Sequence, residues 1–372
     1  MKFKILIDTI SLMSSLTGIG RYTYEISKRV EKDKYFECSF FYGYHSKSLV
    51  HHLDKKDLKL LKSIVSKNQL FKKIVRKIVK ISSQIFTPTY DLYWEPNFIP
   101  IEGIKANKTI TTVHDFSFIL HKDFHPKERI EYFEEHFFKN IKRSDMIITG
   151  SEFSKREIID RLDFNQEQVK VIYHGINHDL FKMYDDLKVD FELPKKFIFS
   201  VGSIEPRKNL IGLLRAYNLL PNEIKNEYKL VLAGFKGWEN SEIMSIIDEN
   251  RENIIYLGFI SDLELAKVYN LASCFVFASF YEGFGLPPLE AMACGTPVVC
   301  SHSSSLPEVG GDAVIYCNPN DTKDIKEKIE LVLKDKILQQ EMVVKGLERA
   351  KEFSWEKSAL EHIKVFQEVL QK

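Results

Sequence analysis

Short apolar runs alternate with longer amphipathic stretches along most of the chain. The runs are rich in Ile, Val and Phe, and they include residues 3–7, 109–113, 145–149, 169–173, 197–201, 229–233, 253–257, 274–278 and 296–300. Short β-branched runs separated by helical patterns predict buried parallel strands in a doubly wound protein. We therefore expect an α/β fold built from Rossmann-like units.

The alternation of strands and helices restarts once, near the middle of the chain. The segment KMYDDLKVD, residues 182–190, is polar and lacks periodicity, which favours a domain boundary between 180 and 193. A chain of 372 residues also exceeds the size at which one hydrophobic core usually stops growing. We predict an N-terminal domain over 1–182 and a second domain over 183–353. Ligands bind at the carboxyl ends of parallel strands in such domains, so we expect a shared cleft between them.

The composition is that of an ordinary globular protein, with 44% hydrophobic and 28% charged residues. A formal net charge of +1 gives no reason to expect a nucleic-acid partner. The five cysteines form an odd set without a CxxC pair, which suits neither a disulfide framework nor a zinc site. The N-terminal apolar core is interrupted by Asp8, unlike a signal peptide, and no apolar run reaches the ~20 residues that span a bilayer. These features favour a cytoplasmic protein with reduced thiols.

Basic residues are concentrated in the segment 55–80. It contains ten Lys or Arg residues and a single Asp, and apolar residues recur at helical spacing at Phe71, Ile74, Val75, Ile78, Val79 and Ile85. An amphipathic helix over 55–85 can lie on an anionic membrane surface, where each basic residue contributes about 1 kcal/mol. It can equally be a surface helix that keeps its lysines in solvent. The first interpretation places the protein peripherally on the inner leaflet of the plasma membrane.

The segment SFYEGFGLPPLEAMACGTPVVCS, residues 279–301, places Glu282 and Glu290 on either side of a turn rich in Gly and Pro. The two prolines suit the first positions of a helix, and Gly295 suits its C-terminal cap. A helix N-terminus of this kind favours an anion such as phosphate, through the N–H groups of Gly283, Phe284, Gly285 and Leu286.

Because carboxylates repel phosphate, the two acids of this segment are better suited to accept hydrogen bonds from sugar hydroxyls beside it. A structural interpretation is also open. In that case Glu290 stabilises the first helical turn and the glycines only form a tight turn.

Two further segments place basic residues and a histidine at predicted strand ends. VGSIEPRKN, residues 201–209, puts Arg207 and Lys208 where they could neutralise a diphosphate, although a solvated basic pair is the common alternative. TTVHDFSF, residues 111–118, ends a strand with His114, which could contact a substrate or be structural.

The segment TGIGRY, residues 17–22, lies between the first predicted strand and its helix. Gly18 and Gly20 permit close approach of a ligand to the backbone. Thr23 stands where the third glycine of a dinucleotide fingerprint belongs, and no acid follows the next predicted strand. A NAD-dependent dehydrogenase is therefore disfavoured.

Taken together, these segments resemble the retaining GT-B glycosyltransferases of family 4, and the resemblance covers nearly the whole chain. The spacing of Glu282 and Glu290 is its most specific sign. The other matching segments are TGIGRYTYEI, VHDFSF, SDMIITGSEFSKREI, VIYHGIN, VGSIEPRKN, LGFISD and FSWEKSA. The fold implied is GT-B, with two Rossmann-like domains whose parallel sheets face each other across a cleft. Residues 354–372 match a C-terminal helix that crosses back to the first domain.

The resemblance also implies a role for each matching residue. Glu282 would bind hydroxyls of the donor sugar and Glu290 the donor ribose. Arg207 and Lys208 would bind the diphosphate, and His114 would lie near the transferred sugar. The other donor-binding positions that the resemblance implies are Gly18, Gly20, Ser203, Gly258, Phe259, Gly283, Phe284, Gly285 and Leu286. Some family members carry an additional arginine at the position of Ser203, so more of the leaving-group charge would rest on the basic pair.

The reaction implied by the resemblance is transfer of a hexose from a nucleotide sugar with retention of configuration. Within the family, the segments look most like GDP-mannose-dependent mannosyltransferases of bacterial O-antigen and surface polysaccharide assembly, which implies a lipid-linked saccharide as acceptor. A UDP-hexose or UDP-HexNAc donor, a sugar-nucleotide epimerase of the same fold and a non-catalytic assembly partner remain alternatives. The sequence has no Asp-x-Asp motif. We expect turnover without a metal or other cofactor, with basic side chains in place of a divalent ion.

Overall fold

The structure of the protein, a computed structural model, describes residues 2–13, 18–50, 88–235 and 241–372. The basic segment 55–85, predicted to be an amphipathic helix, lies outside the described residues. Two largely parallel β-sheets are present, each with helices in the connections between its strands, so the predicted α/β fold is confirmed. No helix among the described residues has both the length and the apolar character needed to cross a bilayer.

Seven of the described strands form the sheet of the N-terminal domain. They are β1 (Phe3–Asp8), β2 (Phe36–Phe41), β3 (His45–Ser46), β4 (Tyr90–Glu95), β5 (Ala106–Thr112), β6 (Met146–Thr149) and β7 (Val169–Val171). Their order is β3-β2-β1-β4-β5-β6-β7, and only the edge pair of β2 and β3 is antiparallel among them. Ile5, Leu6 and Ile7 of the central strand are fully buried, as expected for a strand covered on both faces.

The described helices of this domain lie in the connections between its strands. They are α1 (Gly18–Val30), α2 (Ser117–Leu120), α3 (Lys127–Ile141) and α4 (Glu152–Arg161), with short 3-10 helices at Ile10–Met13, Lys122–Phe124 and Gln166–Gln168. Helix α4 begins after Ser151, whose hydroxyl accepts the N–H of Ser154 as an N-terminal cap.

Six described strands form the second sheet, and all of its pairs are parallel. They are β8 (Phe197–Val201), β9 (Lys229–Ala233), β10 (Ile254–Tyr256), β11 (Cys274–Phe277), β12 (Val298–Ser301) and β13 (Ile315–Cys317), in the order β10-β9-β8-β11-β12-β13. The helices are α5 (Leu210–Asn218), α6 (Asn222–Glu227), α7 (Ser241–Glu249), α8 (Asp262–Leu271), α9 (Leu286–Ala293), α10 (Leu306–Gly310), α11 (Thr322–Lys334) and α12 (Lys336–Lys351), with a 3-10 helix at Pro206–Lys208.

The last helix, α13 (Trp355–Gln371), packs on the N-terminal domain, where it contacts α1, β4 and β5. The hydroxyl of Tyr22 lies 2.6 Å from Nε2 of His362, and both side chains are buried. At the crossing point, a Cβ on Gly175 would lie 2.1 Å from the backbone nitrogen of Trp355. The chain can therefore pass here only because residue 175 has no side chain.

All five cysteines lie within the described residues and are free, and four of them are buried. Burial in apolar surroundings raises the pKa of the thiols, for example of Cys274 to about 12. They therefore pack as small apolar side chains.

Candidate active site

Helix α9 carries one of the two acids that the sequence singled out. It begins at Leu286 with Pro287 and Pro288 in its first turn. Proline has no backbone N–H, and N–H groups in a first turn have no acceptor within the helix, so no helical hydrogen bond is lost there. The helix ends just before Gly295, whose φ of +73° is the left-handed conformation expected after a helix C-terminus. Glu290 lies in the middle of this helix and is buried.

The loop that precedes α9 has a backbone shaped by glycine and serine. Gly285 has a φ of +121°, which favours glycine. The hydroxyl of Ser305 lies 2.8 Å from the carbonyl oxygens of both Glu282 and Phe284. None of the N–H groups of residues 283–286 donates a hydrogen bond to another described residue. Toward the described residues, the loop therefore presents consecutive unpaired donors at a helix N-terminus.

Glu282 is buried and pairs with both cations that the sequence assigned to the diphosphate. Its carboxylate accepts a hydrogen bond from Arg207 Nη1 at 2.7 Å and another from Lys208 Nζ at 2.7 Å. Burial alone would raise the pKa of Glu282, but the two adjacent cations lower it to about 2. The acid is therefore ionised at neutral pH and holds both basic side chains in place.

Arg207 is held by three acceptors. Besides Glu282, its guanidinium donates to Glu205 Oε1 at 3.0 Å and to the carbonyl oxygen of Tyr281 at 2.9 Å. Burial works against the charged form, but the nearby carboxylates raise the pKa of Arg207 above its usual value. Arg207 therefore remains a fixed cation in the site.

Lys208 packs by its ammonium group over the ring of Phe277, 4.9 Å from the ring centroid. It also lines a pocket with Ser203 at the carboxyl ends of β8 and β9. The structure thus brings Ser203, Lys208, Arg207 and Glu282 together.

Glu290 is bound from two directions. Its Oε1 accepts a hydrogen bond from Arg21 Nη1 at 3.1 Å, and its Oε2 accepts one from the hydroxyl of Tyr269 at 3.2 Å. Burial raises the pKa of Glu290 to about 7, with Arg21 opposing this shift and Asp262 adding to it. The two acids of the motif thus have pKa values on opposite sides of the ordinary one.

Arg21 belongs to the TGIGRY segment, where sequence analysis singled out only the glycines. Its guanidinium also donates to both carboxylate oxygens of Asp262, at 2.8 and 2.9 Å, and lies 5.7 Å from the ring centroid of Phe181. The position of Arg21 directly after Gly20 was the only feature of the sequence that could have pointed to it, because its partners lie more than 200 positions away in the sequence.

His114 lies at the carboxyl end of β5, and its ring packs into the first domain. Nε2 lies 2.8 Å from the carbonyl oxygen of Pro96, which can only accept, so Nε2 carries the proton and Nδ1 is the acceptor of the ring. The ring contacts Tyr22 and Phe98 at centroid distances of 5.1 and 5.4 Å. Burial lowers the pKa of His114, so the ring is neutral at pH 7.

The other predicted positions lie around this cluster. Gly18 approaches α9 from the first domain, since a Cβ on it would lie 3.8 Å from Cδ1 of Leu286, whereas Gly20 is buried within α1. Gly258 has a φ of +69° at the end of β10, and the next residue, Phe259, is 61% exposed and stacks on Phe235 at 4.5 Å. Phe284 differs from the rest, because its ring is buried in the core against His174 at 4.8 Å.

Comparison with known proteins places this chain in a family. The model of the glycosyl transferases group 1 matches residues 185–349, and that of glycosyltransferase family 4 matches residues 16–180. The O-antigen chain mannosyltransferase B of Escherichia coli is 33% identical over 98% of this chain and 99% of its own. The chain belongs to the family 4, group 1 glycosyltransferases.

Two other similar proteins extend the comparison of this glycosyltransferase. The serotype-specific mannosyltransferase WbdA of Escherichia coli is 35% identical over 73% of this chain but only 35% of its own length. The structure of sucrose-phosphate synthase from Thermosynechococcus elongatus superimposes with a TM-score of 0.72 over 100% of both chains, at 19% identity. The shared fold is GT-B, so the predicted fold class is confirmed.

In this structure the glycosyltransferase has its two domains in contact through polar groups. The Glu308 carboxylate accepts the N–H groups of Glu152 and Phe153, at 2.7 and 2.6 Å, at the N-terminus of α4. The hydroxyl of Ser151 donates to the carbonyl oxygen of Gly283 at 3.0 Å. The loop of Glu282 is thus anchored directly against the first domain.

The described part of the glycosyltransferase contains no group of three or more His, Cys, Asp or Glu side chains arranged to hold a metal ion. The cations beside the loop, Arg207 and Lys208, both pair with Glu282.

Proposed function

We propose that this glycosyltransferase transfers α-mannose from GDP-mannose, with retention of configuration, to a lipid-linked saccharide during bacterial O-antigen or surface polysaccharide synthesis. The observation that carries the activity is the convergence of Glu282, Arg207 and Lys208 beside a loop whose N–H groups have no acceptor among the described residues. The choice of mannose is supported by the similarity to the O-antigen chain mannosyltransferase of Escherichia coli over almost the full length of both chains.

Each part of the donor has a matching group in the site. The diphosphate binds Arg207, Lys208 and the N–H groups of Gly285 and Leu286, because cations and a helix N-terminus both stabilise phosphate. The sugar hydroxyls donate to Glu282, which the same two cations keep ionised.

The remaining part of the donor is its nucleoside. The ribose hydroxyls donate to Glu290, and the base lies by Gly258 and Phe259, where an exposed aromatic ring is available for stacking. Ser203 lines the adjoining pocket but carries no charge, so it adds contact without neutralising phosphate.

The chemical step breaks the bond between the anomeric carbon and the diphosphate and forms a bond to the acceptor oxygen on the same face. The leaving phosphate oxygen takes the proton of the acceptor hydroxyl, so the products are a glycoside and GDP. The rate arises from positioning the reactants and from stabilising the departing diphosphate. His114, neutral and 8% exposed, lies next to the loop and contributes its acceptor nitrogen toward the sugar.

We further propose that the two cations take the role that a divalent ion has in other transferases, so that turnover is independent of metal. An acceptor carried on a lipid would bring the enzyme to the inner face of the plasma membrane, with the basic segment 55–85 as the contact. Sedimentation with anionic and with neutral vesicles tests this contact, and binding that does not depend on the anionic lipid would contradict it.

The activity is tested by incubating the protein with GDP-mannose, UDP-glucose, UDP-galactose or UDP-GlcNAc and a lipid-linked saccharide, with mass spectrometry of the product. We expect a hexosyl adduct with GDP-mannose, α-linked by NMR and unaffected by EDTA. Glu282→Ala should lower turnover ~10²-fold or more, whereas the exposed Glu223→Ala should not change it.

Other results of the same assay would replace the proposal. Product from a UDP-sugar alone would change the donor, and an altered sugar nucleotide made without acceptor would indicate an epimerase. No turnover with any donor would favour a non-catalytic assembly partner.

A further inference from the structure

Arg21 joins the two domains at the candidate ribose site. It extends from α1 of the first domain to Glu290 on α9 and to Asp262 at the start of α8, both in the second domain. The side chains of Arg21 and Glu290 are only 20% and 9% exposed, whereas that of Asp262 is 50% exposed. The ion pair of Arg21 with Glu290 is therefore shielded from solvent more than its pair with Asp262.

The hydrogen bonds of Glu290 leave a defined capacity for a ligand. An ionised carboxylate offers about four lone-pair sites on its two oxygens. In this structure Oε1 accepts from Arg21 and Oε2 accepts from Tyr269. With respect to the described residues, one acceptor site therefore remains on each oxygen, which suits two neighbouring hydroxyls that donate side by side, as in a ribose.

We propose that Arg21 is a positioning residue that fixes Glu290 in the orientation and charge state needed to accept the two ribose hydroxyls of a nucleoside diphosphate donor. Arg21 comes from the opposite domain, so Glu290 is correctly set only when the cleft is closed. This coupling ensures that the donor is held tightly only in the conformation in which transfer can occur. The inference rests on the donor site proposed above.

The charges around Glu290 give the proposal a distinctive signature. The groups that face it are Arg21 from α1, Asp262 and Tyr269 from α8, and Cys294 directly after its own helix. Burial raises the pKa of Glu290 to about 7, Arg21 lowers it and Asp262 raises it. Without Arg21 the carboxyl is protonated at neutral pH and loses an acceptor site, whereas loss of the Asp262 charge favours ionisation.

The test is the pH dependence of nucleotide affinity, measured by calorimetry with GDP and with UDP from about pH 5.5 to about pH 8.5. For the wild type we expect the affinity to fall as pH decreases through the neutral range. Arg21→Ala should move this fall to higher pH and weaken binding at pH 7 by about tenfold or more, the factor for a lost hydrogen bond to a charged group. Arg21→Lys, which keeps the charge, should restore the position of the fall.

Two further variants separate positioning from a general loss of domain contact. Asp262→Asn should move the fall to lower pH, opposite in direction to Arg21→Ala, and Glu290→Gln should abolish it. Arg29→Ala is the matched control, because Arg29 lies on the same helix and pairs with Glu25 and Glu356 away from the cleft. Its binding curve should superimpose on that of the wild type.

The outcomes separate this inference from the proposed function. Curves for Arg21→Ala that superimpose on the wild type, or that move in the same direction as those for Asp262→Asn, would overturn the role of Arg21 while leaving the donor site intact. A wild-type protein that binds neither GDP nor UDP would overturn the donor site and this inference together.

Discussion

Gly283 lies so close to His114 that a Cβ built on the glycine would be 2.1 Å from the carbonyl oxygen of the histidine. The obstacle is backbone at the end of a central strand, so it cannot move aside as a flexible side chain would. Gly283 is thus required because the two domains meet at this point, and its small size permits the cleft to close.

Replacing Gly283 by alanine should therefore impair closure more than nucleotide binding. Most proposed nucleotide contacts belong to the second domain, so GDP should still bind, with a loss of affinity by calorimetry no greater than the about tenfold loss expected for Arg21→Ala, because impaired closure also removes Arg21 from Glu290. Turnover should fall ~10²-fold, because a displacement of about 1 Å at the reacting atoms has that effect. Gly346→Ala is a control in α12, since a Cβ there would meet mainly the flexible side chain of Met292. Full turnover of Gly283→Ala would show that the closed contact is not needed.

Removing the carboxylate of Glu308 should shift the protein toward an open cleft. This acid accepts two N–H groups at the N-terminus of α4, an arrangement in which a cap contributes about 1 kcal/mol. We expect Glu308→Ala to increase the radius of gyration in solution scattering without unfolding the protein. The exposed Glu348→Ala, whose partner Lys351 lies on the same helix, should leave the scattering unchanged.

Strand β4, which the apolar pattern did not predict, shows what such patterns fail to detect. Strand β4 lies between β1 and β5 at the centre of the first sheet, yet Asp91 interrupts its apolar residues. That aspartate accepts the N–H of Lys4 at 2.7 Å and so serves the end of the neighbouring strand. A polar residue whose partner lies on the neighbouring strand thus concealed a core strand, whereas uninterrupted runs such as β11 were predicted correctly.

The candidate site divides in the same way. The loop of Glu282 and the cap at Gly295 follow from local sequence, because turn and helix-end preferences act over a few residues. The pairing of Glu282 with Arg207 depends on two loops that follow neighbouring strands, and sequence placed each loop without showing the contact. Arg21 was missed because its partners are set only when the two domains dock.

The pairing of Glu282 with its cations should make the protein sensitive to acid. The pKa of Glu282 falls from 4.5 in the unfolded chain to about 2, so its contribution to stability is present above pH 4.5 and is lost as the pH falls toward 2. The shift corresponds to about 3 kcal/mol. Glu282→Gln should lower the free energy of unfolding by about this amount at pH 7, measured with urea, and by progressively less at lower pH. If Glu282→Gln lowered the free energy of unfolding equally at pH 7 and near pH 2, the lowered pKa of Glu282 would be contradicted.

Glu290 should affect stability with the opposite sign. Its pKa rises from 4.5 in the unfolded chain to about 7 in the folded protein, so burial penalises the ionised form. Its favourable contribution is complete below pH 4.5 and is lost as the pH rises through 7. Glu290→Gln should therefore be more stable than the wild type at pH 8, by up to about 3 kcal/mol, and nearly equal to it at pH 5.

The same substitution should weaken GDP binding at pH 8, because an amide offers fewer acceptor sites than a carboxylate to the ribose and to Arg21. A variant that gains stability while it loses affinity is expected where a buried charge is kept for binding. If Glu290→Gln were instead less stable at pH 8, the ion pair with Arg21 would outweigh the cost of burying the carboxylate. The ion pair would then stabilise the closed cleft even without a ligand.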